Sequence, residues 1–287
     1  MIALELDRVS RAFTTPEGDS YRALEDISFS VPAGSFVAIV GPSGCGKSTL
    51  LNICAGLLAS SSGAVRVEGE PLIGLNHRAT YMFQQDALLP WKTVRENVAL
   101  GLTLAGVATL EAHARADEWL ARVELAAFAA HYPSQLSGGM RKRVVMAQNW
   151  ILDRGILLMD EPFSALDVHT RQRMETELLD LWEKTAKQAD NVENEAAQRS
   201  PRAPRLNKTI VFVTHDLEEA IALADEVVVL SAGPAARVVA RHAVTLDRPR
   251  DLMELRTAPA FVDLYRAIWA VLRQEVIKSQ QSGRGGG

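Results

Sequence analysis

Gly41-Pro42-Ser43-Gly44-Cys45-Gly46-Lys47-Ser48 follows the spacing G-x-x-x-x-G-K-[ST]. These residue types in this order suit the holding of a polyphosphate. Glycines let the backbone curl until its N–H groups point inward at phosphate oxygens. A helix that begins at the loop adds partial positive charge at its N-terminus. Lys47 then reaches the β- and γ-phosphates, and the Ser48 hydroxyl binds Mg²⁺. The plain alternative is a glycine-rich turn that happens to carry Lys-Ser. It fits poorly, because an apolar run precedes the loop and a helical pattern follows it.

Ile156-Leu157-Leu158-Met159-Asp160-Glu161 places two carboxylates at the end of another apolar run. Ligands of open α/β sheets bind at such carboxyl ends. Asp160 is the candidate Mg²⁺ holder, directly or through water. Glu161 is the candidate general base that orients and polarises an attacking water. An ordinary acidic strand exit is the competing reading, and the phosphate loop in the same chain argues against it. Leu136-Ser137-Gly138-Gly139-Met140 precedes a helical pattern over Arg141 to Ala147. Ser137 reads as the N-cap. Gly138 and Gly139 admit a ligand close to the backbone, which makes a second anion site at a helix N-terminus. Two phosphate grips in one chain suggest that the grips meet across a two-fold dimer. The Arg141-Lys142-Arg143 run reads as a solvated helix face rather than a nucleic-acid contact.

The elements that must position these groups alternate in character. Ile2 to Val9 and Ile27 to Val31 alternate as half-buried strands do, and Pro32-Ala33-Gly34 is a turn. Phe36–Val40, Ile156–Met159, Val211–Val213 and Val227–Leu230 are short, wholly apolar runs, as strands covered on both faces are. Leu50, Leu51, Ile53, Cys54, Leu57 and Leu58 recur at helical spacing after Ser48. Strands alternating with helices predict a largely parallel α/β sheet. Residues 86–150 read as mostly helical and as a separate subdomain that interrupts it. Residues 184–207 are polar, with Pro201 and Pro204, and read as a surface insertion, partly disordered. Phe261, Leu264, Ile268, Trp269, Leu272 and Val276 recur at helical spacing, and Ser282 to Gly287 reads as a tail without structure.

The 287 residues carry a net charge of -4, with 47% hydrophobic and 23% charged residues. That composition excludes wholesale disorder and offers no overall basic field to hold nucleic acid. The uncharged stretch Asn97 to Leu110 is too short to span a bilayer, which takes about 20 residues. The N-terminus Met1-Ile2-Ala3-Leu4-Glu5 lacks the basic region and apolar run of a signal peptide. Cys45 and Cys54 are the only cysteines and are expected to be reduced thiols in a cytosol.

The three motifs in this order resemble those of the ATP-binding cassette of an ABC transporter, over about residues 1–245. The resemblance implies a RecA-like P-loop ATPase core with an antiparallel β subdomain and an inserted α-helical subdomain. Core and β subdomain would take residues 1–85 and 151–245, the helical subdomain 86–150, and a C-terminal extension 246–287. It implies a head-to-tail dimer, with ATP between one chain's phosphate loop and the other's signature. Lys47, Ser48 and Thr49 match the end of the Walker A motif, Asp160 and Glu161 match Walker B and the base, and Ser137, Gly138 and Gly139 match the signature. Ser164-Ala165-Leu166-Asp167 matches the D-loop, His215 the switch histidine that senses the γ-phosphate, and Gln84 the Q-loop contact to Mg²⁺ and water. Gln85 is the neighbouring alternative to Gln84. Phe13 aligns with the aromatic that stacks on adenine; Tyr21 is a rival, and a core role for Phe13 is the other reading.

Leu88-Leu89-Pro90-Trp91-Lys92-Thr93-Val94 and the extension with Arg248-Pro249-Arg250 resemble the importer branch serving nitrate, sulfonate, taurine and related solutes. That branch implies a membrane permease, with the Trp91 region bordering its docking groove, and indirectly a periplasmic or lipid-anchored binding protein. It implies a peripheral place on the cytoplasmic face of the inner membrane. Two features depart from the family pattern: the extra residues Lys184 to Asn207, and Ala147-Gln148-Asn149 where an Ala-Arg-Ala-like segment is usual. Competing readings are an ATPase acting on nucleic acid or ribosomes, a nucleotide-gated docking module with little turnover, and an exporter cassette. The single cassette without long coiled coils opposes the first, intact Glu161 and His215 oppose the second, and Leu89-Pro90-Trp91 with the extension opposes the third.

Overall fold

The computed structural model describes residues 1–14, 18–196 and 208–284, and of 185–196 and 282–284 the backbone only. Its centre is a six-stranded sheet. The strands are β3 (Phe36–Val40), β6 (Ala79–Met82), β7 (Ile156–Asp160), β8 (Thr209–Val213), β9 (Glu226–Leu230) and β10 (Val238–Ala243), in the order β10-β9-β3-β8-β7-β6. All pairings are parallel except that of the edge strand β10. The apolar runs read from sequence are its inner strands. Alternate residues serve opposite faces. Phe36, Ala38, Val40, Leu157, Met159, Ile210 and Phe212 join one core cluster, and Val37, Ile39, Ile156, Leu158, Val211 and Val213 join another. Continuous apolarity follows from cover on both sides.

A second, antiparallel sheet is built from β1 (Ile2–Thr14), β2 (Ser20–Pro32), β4 (Ser62–Val67) and β5 (Glu70–Pro71), in the order β2-β1-β4-β5. Its inner residues share the cluster that covers helix α1 (Lys47–Cys54). Between β6 and β7 lie α2 (Val94–Leu104), α3 (Thr109–Arg122) and α4 (Gly138–Trp150), with two 3-10 turns at Ala126–Phe128 and Pro133–Gln135. These helices hold a core of their own, including Val98, Leu120 and Val144. Thr93 and Glu96 close a reciprocal capping box at the start of α2. No described helix is long and apolar enough to cross a membrane.

Helix α5 (Val168–Ala196) precedes β8, and α6 (Leu217–Leu223) follows it. The first part of the expected insertion continues α5 as far as Ala196, since Lys184 to Ala196 contains neither Gly nor Pro. Residues 197–207 lie outside the described residues. The C-terminal extension forms α7 (Leu252–Leu255) and α8 (Pro259–Arg284). The expected structureless tail is therefore corrected at Ser282 to Arg284, which continue α8; residues 285–287 lie outside the described residues. Phe261, Ile268 and Leu272 of α8 enter the core beside α6. Arg248 donates to Leu223 O at 2.7 Å, and buried Arg250 donates to the carbonyls of Ile221, Ala222 and Ala224 at the end of α6.

Helix α1 ends at Ala55, and Gly56 takes φ +70 so that the chain can turn back. A Cβ on Gly56 would lie 1.9 Å from Gly74 O. Gly56→Ala should cost about 2–4 kcal/mol, combining left-handed backbone strain with overpacking. Denaturant unfolding reads this directly. A wild-type midpoint would show that the Gly74 strand exit yields freely.

Candidate functional site

The phosphate loop leaves β3 at Val40 and enters α1 at Lys47. Two glycines make the turn possible. Gly44 has φ +76 and Gly46 φ +98, and a Cβ on Gly46 would meet Leu24 Cδ2 at 2.8 Å. Cys45 is buried within the loop, and burial pushes its thiol pKa up. Both cysteines are free. Lys47 is buried, and its Nζ donates to Gly41 O at 2.9 Å and Pro42 O at 3.2 Å. Its ammonium thus rests on the loop's own carbonyls, at the place where the loop curls.

One residue on, Ser48 Oγ donates to Asp160 Oδ1 at 2.9 Å. Tyr81 Oη donates to Asp160 Oδ2 at 3.3 Å. Burial pushes the Asp160 pKa up, against the lowering effect of these two hydrogen bonds. A hydroxyl and a carboxylate held together are hard oxygen donors that suit Mg²⁺, which takes few protein ligands and completes its shell with water and phosphate. A cation there would favour the ionised form that burial disfavours. Among the described residues no group of three or more His, Cys, Asp or Glu could hold a metal, so the donors present fit a shared phosphate–metal site rather than an all-protein cage.

Glu161 turns the chain sharply, with φ +43, while its N–H still donates to Val213 O at 2.9 Å. A non-glycine residue in that region is strained, and such strain gathers at functional sites. Glu161 Oε2 and His215 Nδ1 are 2.9 Å apart. His215 lies between two anchored neighbours. Thr214 donates its N–H to Ile39 O and its hydroxyl to buried Glu219 at 2.6 Å. Asp216 caps α6, accepting from Glu218 N and Glu219 N. Arg171 of α5 pairs with Asp216 at 3.4 Å and Glu219 at 3.7 Å, and donates to Leu166 O.

The structure places Gln84 against Ser164, with Nε2 donating to Ser164 Oγ at 3.4 Å, and Ser164 Oγ donates to Glu161 O at 3.0 Å. Gln84 thus meets the turn that follows Glu161, and its contact is not with the Ser48–Asp160 pair. Ser137 caps α4, accepting from Met140 N at 3.3 Å. Ser137, Gly138 and Gly139 open onto a hollow shared with Ala165, Leu166 and Asp167, whose lining includes no residue of the phosphate loop. Asp167 caps the first turn of α5, and its hydrogen bond to Thr170 holds the carboxyl below the usual range. Phe13 lies opposite Tyr21 across β1 and β2, packs partly on the core, and carries the Arg11 guanidinium 4.6 Å above its ring. Tyr21 is half exposed and faces Gly233 beside Gly44.

One expectation is overturned. Arg141-Lys142-Arg143 is not a solvated face. Lys142 is buried, pairs with Asp86 at 2.8 Å and donates to Gln84 O at 2.9 Å. Arg141 pairs with Asp86 at 3.1 Å, and Arg143 with Glu177 and Glu124. Helix α4 lies between two cores, so its cations turn to acids of neighbouring elements. Sequence reasoning also missed Tyr81, Asp86, Arg171 and Glu219. Each lies on an element whose approach to the site is set only by the fold.

A family profile described as ABC transporter matches residues 24–164. The chain is 41% identical over 273 residues to the taurine import ATP-binding protein TauB of Rhizobium johnstonii, covering 94% of this chain and 96% of that protein. It is 39% identical over 279 residues to the TauB of Burkholderia pseudomallei, covering 96% and 98%. Among solved structures, it resembles the dimeric post-hydrolysis state of the ATP-binding cassette MJ0796 bound to ADP and Pi. The TM-score is 0.66 at 30% identity, over 85% of this chain and 100% of that one.

Burial pushes the carboxyls of Glu175 and Glu219 up to about 7, from 4.5, although Thr214 for Glu219 and Arg256 for Glu175 pull them down. Both folded values stand above the unfolded one. Their contribution to stability is therefore complete below about pH 4.5 and is lost as pH rises through about 7. Glu219→Gln is permanently neutral. The stability advantage of wild type over this variant should be greatest at pH 5 and shrink towards pH 8, in thermal melts at matched ionic strength. A constant difference would show that Glu219 is ionised throughout.

Proposed function

The chain belongs to the ABC transporter ATP-binding family and is an ATPase; from that premise we propose that it is the energising subunit of an importer for a small solute of the nitrate, sulfonate and taurine group. Taurine is the first candidate. The observation that carries this reading is the 41% identity to a taurine import ATP-binding protein along 94% of the chain.

The geometry supports the following division of labour. The phosphate loop from Gly41 to Thr49 receives the triphosphate, and Lys47 exchanges its two carbonyl acceptors for phosphate oxygens. Phe13 receives the adenine. Ser48 and Asp160 would hold Mg²⁺, and Gln84, which here donates to Ser164 Oγ, would be a further oxygen donor to it. When bound there, the ion would neutralise charge that develops on the phosphates. Glu161 accepts the proton of a water whose oxygen attacks the γ-phosphorus, and ADP leaves. His215 keeps the Glu161 carboxylate oriented and reads the γ-phosphate.

The second half of the site comes from another copy. The hollow at Ser137–Gly139 lies apart from the chain's own phosphate loop, which supports use in trans, with Asp167 at the rim. Closure of that head-to-tail pair is coupled to a permease. An apolar groove between core and helical subdomain, lined by Leu75, Phe83, Leu100, Leu104 and Gln148, fits a helix of that partner. Trp91 stands 71% exposed after the Q-loop, within reach of the same partner. The departure at Gln148 and Asn149 falls in this groove, where it would adapt the surface to its own permease. The chain would sit peripherally on the cytoplasmic face of the inner membrane, and a periplasmic or lipid-anchored binding protein would select the solute.

Co-purification with the cognate permease, followed by ATPase assay with solute-loaded binding protein, tests the import reading. Taurine or a related sulfonate should stimulate turnover. Stimulation by none of the sulfonates, nor by nitrate, would sink it.

The dimer reading has its own test. Glu161→Gln should retain ATP binding and lose turnover about 10²–10⁴-fold, the usual contribution of a positioned base. That variant should dimerise with ATP and remain monomeric with ADP in light scattering. Adding Ser137→Arg should abolish the dimer and leave ATP binding to the monomer nearly unchanged. If Ser137→Arg weakens monomer binding as much as Lys47→Ala does, the signature acts in cis and the model of the pair is wrong.

A further inference from the structure

Helix α4 belongs to two bodies at once. Val144, Ala147 and Ile151 enter the core of the helical subdomain, whereas Val145, Met146 and Trp150 enter the core beneath the central sheet. Its first turn carries Ser137 as cap and, one turn on, Lys142. The Lys142 side chain is 4% exposed and reaches outside both cores to the segment after β6. Nζ pairs with Asp86 Oδ1 at 2.8 Å and donates to the backbone carbonyl of Gln84 at 2.9 Å. Arg141 takes the other oxygen of Asp86 at 3.1 Å and donates to Leu136 O at 2.8 Å, immediately before the signature serine. One carboxylate and two cations thus tie the backbone at Gln84 to the backbone at Leu136.

We propose that Lys142, with Asp86, is a positioning residue that holds Gln84 in register with the signature turn of the same chain and so couples the two nucleotide sites of a head-to-tail pair. The inference rests on the trans reading above. In that pair Gln84 serves the chain's own ATP, and Ser137–Gly139 serve the partner's. Seating a phosphate at the signature then moves the first turn of α4, and the ion triad passes this to Gln84. Asp86 gives one oxygen to each cation, and of the three side chains only that of Lys142 is fully buried. The triad's geometry is narrow, and a half-broken triad leaves a charge unpaired.

The test uses the full chain with Lys142→Met, Lys142→Arg and Asp86→Asn. Steady-state ATPase activity is measured against ATP concentration, beside binding of a fluorescent ATP analogue. Lys142→Met should bind the analogue within about twofold of wild type, because the phosphate loop is untouched. Its kcat per nucleotide-binding chain should fall about tenfold and its Hill coefficient should drop towards 1, the size expected of an ordinary coupling. Lys142→Arg, which keeps the charge, should recover most of both. Unchanged kcat and Hill coefficient in Lys142→Met would overturn the proposal. So would a loss explained entirely by fewer folded chains, or a failure of Arg to rescue. If Lys142→Met does not fold, Asp86→Asn gives the same readings, and failure of both to fold assigns the triad to stability alone. A wild-type Hill coefficient near 1 would instead count against the head-to-tail pair, and the kcat comparison would still judge the triad.

Discussion

The parallel register of three adjacent strands fixes where the chemistry can occur. Ile39 pairs with Val213, and Val213 pairs with Asp160, so β3, β8 and β7 end in one row. Their residues up to that row are almost entirely buried. A polar side chain inside would be desolvated without a partner. Polar groups are therefore displaced to the carboxyl ends, where Gly41, Glu161 and Thr214 leave the sheet together. The row continues beyond the strands as two backbone hydrogen bonds, Glu161 N to Val213 O and Thr214 N to Ile39 O. Those bonds bring Glu161 and His215, 54 residues apart in sequence, within 2.9 Å.

The histidine depends on more than the sheet. Helix α6 has seven residues, too few to be stable alone. Its N-terminus is held by Asp216 and by the buried Glu219–Thr214 bond. Its last carbonyls are met by Arg248 and Arg250 from the extension. Burial lowers the Arg250 pKa to about 10, which still leaves the guanidinium charged at neutral pH. Cations at a helix C-terminus complement its dipole. The extension thus contributes to the site without touching it, by completing the short helix that begins two residues after His215. Removing this buried guanidinium leaves carbonyl acceptors unpaired, at about 1–3 kcal/mol for a buried acceptor without a partner.

The buried strands and the phosphate loop were legible because each is local. Five consecutive apolar residues bounded by glycine or acid admit few other structures, and Gly41 to Ser48 carry their own geometry. The order of strands was not legible, since β3 lies between β8 and β9 only through crossovers of more than 150 residues. Lys142 misled for a related reason. A run of three cations is read as solvated unless the acids that meet it are known, and Asp86, Glu124 and Glu177 come from three other segments. Composition alone reads Ser282 to Arg284 as a tail, whereas α8 carries its helical ladder through them. Tyr81 gave no signal at all, because a strand tyrosine becomes a partner of Asp160 only when β6 and β7 pair.

The contacts inside the phosphate loop bear on how nucleotide and a second copy would act together. Lys47 donates to two carbonyls and Ser48 to Asp160, so the loop's own groups meet its charge and its hydroxyl. ATP has to compete with these contacts. It does so with a charge far larger than any carbonyl dipole, next to a helix N-terminus. The His215 side chain is 52% exposed beside Glu161, whose own side chain is 20% exposed. A carboxylate that water still reaches is stabilised by solvent. Closure by a second copy would exclude that solvent and place the Ser137 turn on the far side of the γ-phosphate. Desolvation strengthens each contact inside the closed site. On the proposed reading hydrolysis would follow assembly, because one chain would supply Glu161 and the phosphate loop, and two chains together the drier environment in which they act.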